Sequence, residues 1–151
     1  MTISPTIRFH FLKKVELRDR SRLKAAVVSL FRAERRKLGE IRYIFCSDKY
    51  LLDINRRFLG HDYYTDIITF PLSEPSQPVV AEVYISVDRV RDNAARFHNP
   101  LKTELLRVIF HGALHLCGYG DKTAREQVKM RALEDKYVLL FQRSMWNTRP
   151  K

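Results

Sequence analysis

The feature that most constrains the fold is a stretch of eleven residues, His111 to Asp121, which reads HGALHLCGYGD. The helix predicted to carry both histidines is apolar nearly all round, with Leu105, Leu106, Val108, Ile109, Ala113, Leu114 and Leu116. A helix that is apolar on nearly every side belongs at the centre of a core, so we expect it to be buried. His111 and His115 are four residues apart, which places both imidazoles on one helix face.

A metal ion is the partner that this histidine pair predicts. Burying two imidazoles without polar partners would cost free energy, and a metal ion bound to both rings would offset that cost. Gly118 tolerates a positive φ, so the chain can turn back after the helix and bring Asp121 to the same ion. The spacing therefore predicts a metal site formed by His111, His115 and Asp121. The alternative is a pair of ordinary core or surface histidines.

The same spacing is similar to that of the metzincin proteases, with one important difference. In those enzymes a glutamate follows the first histidine and acts as the general base. Here that position is Gly112, which has no side chain to accept a proton. Peptide hydrolysis by that mechanism therefore lacks its base, and a protease is the weaker interpretation.

The charge of the chain indicates an anionic partner. Lys and Arg number 28 and Asp and Glu number 17, which gives a formal net charge of +11. We favour the interpretation that this charge binds RNA or another phosphate-rich partner. The alternative is a basic surface that contacts only solvent. With 151 residues, of which 45% are hydrophobic, residues 1–151 are expected to form one domain around one core.

Localisation is predicted from what the sequence lacks. Cys46 and Cys117 are the two cysteines, too few for a disulfide framework, so a reducing compartment fits. No apolar run is long enough for a membrane span or an export signal. We therefore expect a cytoplasmic protein without a membrane partner. Cys117 is interpreted as a small buried hydrophobe rather than a ligand.

Periodicity predicts an α+β fold in which a small mixed β-sheet is packed by helices. The predicted strands are residues 6–12, 40–46, 63–71 and 79–86, and the predicted helices are 17–38, 48–58, 87–97 and 124–143, besides the metal-motif helix. Gly39 should end the first helix, and Asn99 with Pro100 should begin the metal-motif helix. Ser47 is a predicted N-cap, and Thr123 with Glu126 a predicted capping box. A basic tail follows from residue 147.

Two motifs resemble those of a known family. HGALHLCGY resembles the signature of the YbeY family of metal-dependent endoribonucleases and rRNA-maturation factors. Asn55, Phe58, Asp62 and the run TDIITFP at residues 65–71 resemble the second motif of that family. The resemblance covers nearly the whole chain. It implies a single α+β domain, one zinc ion, and single-strand-specific cleavage in maturation of the 16S rRNA 3′ end and in ribosome quality control.

This chain departs from the family pattern at several positions. Asp121 stands where the family has its third histidine, and this lowers the charge of a zinc site from +2 to +1, so a bound water would be less acidified. Leu59 stands where an arginine is usual, so no functional arginine carries over. His61 and Tyr64 stand where lysine and proline are common.

Several functional assignments stay open at this stage. No catalytic residue is identified, and either water or the RNA 2′-hydroxyl is an acceptable nucleophile. Lys122 and Arg125 are candidates for binding phosphate, with plain surface charge as the alternative. Tyr63, Tyr64 and Tyr119 are candidates for stacking on unpaired bases, with packing as the alternative.

Three classes of function fit the sequence, in order of preference. The first is a zinc-dependent endoribonuclease that acts on ribosomal RNA or the small ribosomal subunit. The second is a non-catalytic RNA- or ribosome-binding factor with a structural metal, and the third is a metallohydrolase of another substrate. Two imidazoles and a carboxylate suit zinc, and nickel, iron or manganese also accept such ligands.

Overall fold

The structure is a computed structural model that describes residues 4–147, with side chains described as far as residue 144. In chain order its elements are β1 (Thr6–Phe11), α1 (Arg20–Ala33), β2 (Leu38–Cys46), α2 (Asp48–Leu59), β3 (Ile67–Pro71), β4 (Val79–Ser86), α3 (Val87–Arg96), α4 (Leu101–Leu116) and α5 (Ala124–Asn147). The predicted α+β class is confirmed. Over the described residues, no helix combines the length and the apolar character needed to cross a membrane.

The four strands form one mixed sheet in the order β1-β2-β4-β3. β1, β2 and β4 run parallel, and β3 pairs antiparallel with β4 at one edge. Parallel neighbours require a crossover rather than a hairpin, and α1 supplies the one between β1 and β2. This arrangement confirms the predicted mixed sheet.

Helices cover both faces of the sheet, and the larger core lies beneath α4. Ten residues of α4 are buried, and the helix contacts α1, α3, α5, β3 and β4. A smaller apolar cluster of Cys46, Leu51, Ile54 and Ile68 lies between α2 and the other face. The prediction that the metal-motif helix is central and buried is therefore confirmed.

Gly112 is the point at which α4 approaches the sheet. A Cβ atom at this position would lie 3.0 Å from Ile67 Cδ1 and 3.0 Å from Val83 Cγ1. A larger side chain would push the helix away from β3 and β4, because close-packed interiors accommodate added volume poorly. The position that carries the general base in the metzincin pattern therefore faces the core of this protein.

The predicted extent of the first helix is wrong at both ends. α1 begins at Arg20 and ends at Ala33, and Gly39 lies inside β2 instead of ending a helix. Arg35 adopts a left-handed φ of 57°, and the next N–H, of Arg36, bonds back to the carbonyl of Phe31 at 2.9 Å. This turn ends the helix early. The spacing of Leu38 also suits a helix, but in the structure Leu38 is a strand residue that pairs with Val79.

Other boundaries differ less. β3 begins at Ile67 rather than at residue 63, because residues 63–66 form a loop. α5 continues to Asn147 rather than 143. Pro100 is the N-cap of α4 and provides no side-chain cap. The Asn99 side chain instead donates to Glu104 Oε1 at 2.8 Å. The predicted basic tail lies outside the described residues after Asn147.

Two predicted helix starts are confirmed. The Ser47 hydroxyl accepts the N–H of Tyr50 at 3.1 Å. At the start of α5, the Glu126 carboxylate accepts the Thr123 N–H at 3.0 Å, and the Thr123 hydroxyl accepts the Glu126 N–H at 3.1 Å. The second pair is a reciprocal capping box, and it fixes where α5 begins after the metal motif.

Glu34, just after α1, joins three parts of the molecule. The Tyr119 hydroxyl donates to Glu34 Oε1 at 2.6 Å, and the Tyr137 hydroxyl of α5 donates to Oε2. Partial burial raises the pKa of Glu34, but these two hydrogen bonds and the neighbouring Lys136 and Lys129 outweigh it and lower the pKa overall. The carboxylate thus ties α1 and α5 to the loop that carries Asp121.

Glu34→Gln is expected to lower the free energy of unfolding by about 1 kcal/mol at pH 7, because an amide replaces a charge-assisted acceptor. Since the folded pKa of Glu34 is lowered, its contribution is present above the unfolded pKa of about 4.3 and is lost as the pH falls through the folded value. Urea denaturation at pH 7 measures the loss of stability, and the same experiment at pH 3 measures how much of that loss disappears at low pH. Glu16→Gln, at an exposed side chain, is the control. Equal stability of Glu34→Gln and the native protein at pH 7 would contradict this role.

Candidate metal centre

A cleft of about 620 Å³ opens at the carboxyl end of α4. Its walls come from α2 and the loop after it, from the start of β3, and from α4 with the following loop. The lining residues are Asn55, Leu59, His61, Tyr63, Thr65, Asp66, Ile67, Ile68, Thr69, His111, His115, Asp121 and Lys122. All three residues of the predicted metal site therefore line one cavity, together with Lys122.

His111 lies between two carboxylates. Its Nδ1 is 2.6 Å from Glu134 Oε2, and its Nε2 is 3.3 Å from Asp121 Oδ2. Glu134 is only 5% exposed, so its carboxylate holds the ring in one orientation from the protein interior. A histidine that donates one ring N–H to a carboxylate presents its other nitrogen in a defined direction, which is how metal-binding histidines are commonly oriented.

His115 is oriented by the backbone. Its Nδ1 is 3.1 Å from the carbonyl oxygen of Tyr119, and a carbonyl only accepts, so Nδ1 carries the proton. In the neutral ring, Nε2 is then the nitrogen with a lone pair for a metal. His115 is exposed, whereas His111 is largely buried, so the pair spans the cleft from interior to solvent.

The turn after α4 positions these groups. Gly118 has a φ of 106°, which confirms the predicted left-handed position. The Tyr119 N–H bonds to the Leu114 carbonyl at 3.1 Å, and the Gly118 N–H bonds to the His115 carbonyl at 3.0 Å. This helix ending returns the chain toward the cleft, so that the Tyr119 carbonyl reaches His115 and Asp121 reaches His111.

The cleft is negatively charged around His111. Burial alone would lower the pKa of His111, but the hydrogen bond and charge of Glu134 and the charges of Asp66 and Asp121 outweigh it and raise the pKa. Burial raises the pKa of Asp66, against the opposing effect of His111. Two carboxylates in contact with one imidazole, and a third that acts on it through its charge, favour a bound cation.

One pair of the candidate donors, His111 and Asp121, has a spacing that fits a metal ion. Two ligand atoms bound tetrahedrally to one zinc at about 2.0–2.2 Å lie roughly 3.3–3.6 Å apart. The 3.3 Å between His111 Nε2 and Asp121 Oδ2 agrees with that value. Among the residues that the structure describes, no three His, Cys, Asp or Glu side chains form a group close enough to hold an ion. The structure thus brings His111 and Asp121 together. It places His115 in the same cleft, but not close enough to complete a three-ligand group.

Glu134 contacts the candidate ligand His111, and the sequence interpretation missed it. It lies 23 residues after His111 on another helix, so no ligand spacing identifies it. Arg107 supports it, with Nη1 at 3.2 Å from Glu134 and 2.8 Å from Asp135. One signal was available in the sequence. Glu134 interrupts an apolar stripe at helical spacing, which includes Met130, Tyr137, Val138 and Phe141, and a charged residue at such a position needs a partner.

The two predicted phosphate-binding residues lie in different environments. Lys122 lines the cleft beside Asp121. Arg125 is exposed on the first turn of α5 and lies outside the cleft lining. Of the two, Lys122 is therefore the one positioned to contact a group inside the cavity.

The cysteines take no part in the cleft. Both are free thiols, and burial raises the pKa of each to about 12. Cys117 packs against the main core but is only partly buried, whereas the sequence interpretation expected a buried side chain. Thiols with raised pKa are poor nucleophiles and poor ligands, because the thiolate is the reactive form.

The fold and the cleft together define an α+β protein with a histidine–carboxylate pocket at the end of its central helix. A family model described as "Endoribonuclease YbeY" matches residues 11–142. An endoribonuclease YbeY of Cytophaga hutchinsonii is 50% identical over 125 residues, which cover 83% of this chain and 87% of that protein. The chain therefore belongs to the endoribonuclease YbeY family.

Two further similarities agree with this assignment. An endoribonuclease YbeY of Flavobacterium psychrophilum is 42% identical over 135 residues, which cover 89% of this chain and 96% of that protein. A solution structure of a Thermotoga maritima protein aligns with a TM-score of 0.60 at 28% identity, and it covers 96% of this chain and 93% of its own.

Glu134→Gln is expected to weaken zinc binding roughly 10- to 100-fold, because the amide no longer orients and polarises His111 as the carboxylate does. Competition with a chromophoric chelator measures the affinity. Glu16→Gln, the same chemical change at an exposed side chain outside the cleft lining, is the control and should bind zinc like the native protein. Unchanged affinity in Glu134→Gln, with its fold intact, would contradict the orienting role.

Proposed function

We propose that this chain is a metal-dependent endoribonuclease that cleaves single-stranded RNA. The observation that carries the proposal is the His111 imidazole, fixed between Glu134 and Asp121 inside a cleft that also contains His115 and Lys122. Membership of a family described as endoribonuclease supports the reaction class. The net charge of +11 supports a polyanionic substrate.

His111, His115 and Asp121 would hold one zinc ion in this proposal. When bound, such an ion supplies positive charge that stabilises the phosphoryl oxygens during cleavage. Two imidazoles and a carboxylate form a mixed nitrogen and oxygen donor set, which zinc accepts readily. Because Asp121 brings a negative charge, the site would carry less net positive charge than one with three neutral histidines.

Other charged residues in and near the cleft would have distinct roles. Lys122 would bind a phosphate inside the cavity, and Arg125 would contact the RNA backbone at the rim. Asp66 lines the same cavity, and burial raises its pKa, so it keeps a proton to a higher pH than an ordinary aspartate. A carboxyl group of that kind suits proton transfer to a leaving oxygen.

The proposed substrate is ribosomal RNA, at the 3′ end of the 16S molecule in the small ribosomal subunit, with a role in ribosome quality control. The resemblance of HGALHLCGY and of residues 65–71 to the motifs of rRNA-maturation factors supports this assignment. A function on the ribosome implies a cytoplasmic protein, with residues 1–151 acting as one domain.

A purely structural metal is the competing function, and the position of the site argues against it. The cleft lies at the surface, and His115 is exposed. The main core packs through residues outside the cleft, on the buried faces of α1, α4, α5 and the sheet. Loss of the ion should therefore remove activity and leave the fold.

His115→Ala is expected to reduce cleavage of a single-stranded 16S rRNA fragment at least 100-fold and to change the melting temperature by less than about 2 °C, since an exposed side chain contributes little to stability. Gel analysis of the cleaved RNA and thermal unfolding measure the two effects. His10→Ala, at an exposed histidine on β1, is the matched control. If the zinc-loaded native protein binds this RNA without cleaving it, the enzymatic proposal fails.

A further inference from the structure

An aromatic pair stands at the mouth of the metal cleft. His61 and Tyr63 both line the cavity that contains His111. Their rings stack with centroids 5.1 Å apart and planes inclined by 19°, and the Tyr63 hydroxyl lies 2.9 Å from His61 Nδ1. Tyr63 is 55% exposed, so its ring is presented to solvent beside the cleft. We call these two residues the His61–Tyr63 platform.

The backbone holds the platform in place. Gly60 has a φ of 65° at the end of α2, and the N–H groups of Gly60 and His61 both bond to the Asn55 carbonyl. The Asn55 side chain is 1% exposed, and its Nδ2 donates to the Tyr63 carbonyl at 2.8 Å. The buried Asn55 amide therefore holds the loop that carries His61 and Tyr63 from the protein interior. Rings fixed in this way lose little conformational entropy when a ligand binds.

Folding alone does not account for the platform. A ring that packs into a core loses most of its exposure, as Tyr43 does at 0%. Tyr63 keeps more than half of its surface in water and contacts its neighbour His61 instead. Exposed rings beside a charged cleft are the usual means by which proteins bind unpaired bases, since every base has a flat face that stacks.

We propose that the His61–Tyr63 platform is a base-stacking subsite, which binds the unpaired nucleobase of a nucleotide next to the phosphate held in the cleft. This inference rests on the proposed endoribonuclease function. Phosphate recognition by Lys122 at one wall and base stacking at the other would together hold one nucleotide. A base in a duplex would first have to leave its stack, so the platform would favour single strands.

Tyr63→Leu tests the subsite, because leucine keeps the apolar character and removes the ring. The probe is a 2′-O-methyl 12-nucleotide RNA, which resists cleavage through the 2′-oxygen, with a set of versions that each lack one base. Fluorescence anisotropy measures binding to the zinc-loaded protein. Tyr63→Leu is expected to bind the intact RNA roughly 5- to 150-fold more weakly than the native protein, while Tyr63→Phe stays within about 3-fold.

The abasic series locates the contact. At one position, loss of the base should weaken native binding as much as Tyr63→Leu does, and at that position the two changes together should be no worse than either alone. Phe97→Leu, at a ring 56% exposed and outside the cleft lining, is the matched control and should bind like the native protein. His61→Leu provides a second variant with the same expectation as Tyr63→Leu.

Two results would overturn the subsite. One is native-like binding by both Tyr63→Leu and His61→Leu with unchanged melting temperatures. The other is a loss that is equal for the intact RNA and for every abasic version, which would show a general effect rather than a base contact. Either result leaves the proposed function standing if the native protein cleaves single-stranded RNA. Failure of the native protein to bind any of these RNAs would instead remove the proposed function.

Discussion

Helix α4 contacts the sheet at Gly112, and this close contact determines both the packing of the core and the geometry of the cleft. Without a side chain at this position, the helix lies against Ile67 and Val83. That close approach buries α4 in the main core. It also determines how far along the sheet His111 lies, so that His111 lines the cleft beside the start of β3. The helix is thus both the centre of the core and one wall of the cleft, so packing and ligand geometry are determined together.

Hydrogen bonds and ion pairs around α4 orient the two histidines that packing brings to the cleft. A buried imidazole needs a partner, and Glu134 supplies one from α5, itself held by Arg107. On the solvent side, the Tyr119 carbonyl orients His115, and the Tyr119 hydroxyl reaches Glu34. Each histidine is therefore positioned by a hydrogen bond on the side away from its proposed metal-binding nitrogen. Such outer contacts usually decide whether a set of ligands is preorganised.

Local patterns predicted much of this molecule. Strand β4 alternates clearly, and it spans residues 79–86 as predicted. Ser47, Thr123 with Glu126, and Gly118 act as predicted, because caps and left-handed turns depend on a few adjacent residues. The family motifs led to the correct family, and the histidine spacing placed three candidate ligands in one cleft.

Tertiary effects were harder to predict. Leu38 fits a helical period as well as a strand, and only its pairing with Val79 decides between them. The start of β3 was misplaced, because the buried Asn55 holds residue 63 as a loop through a contact that is not local in sequence. Glu134 belongs to the site only because α4 packs on α5. Its place in an apolar stripe indicates that it faces inward, but a single sequence does not show that its partner there is His111.

A crystal structure of the zinc-loaded protein, with anomalous data at the zinc edge, tests the proposed metal site. We expect one ion, with His111 Nε2, His115 Nε2 and an Asp121 oxygen at about 2.0–2.2 Å. Glu134 should remain bonded to His111 Nδ1 and not touch the metal. An ion held by a different set of residues, or a cleft without zinc in protein that binds zinc elsewhere, would contradict the proposed ligand set.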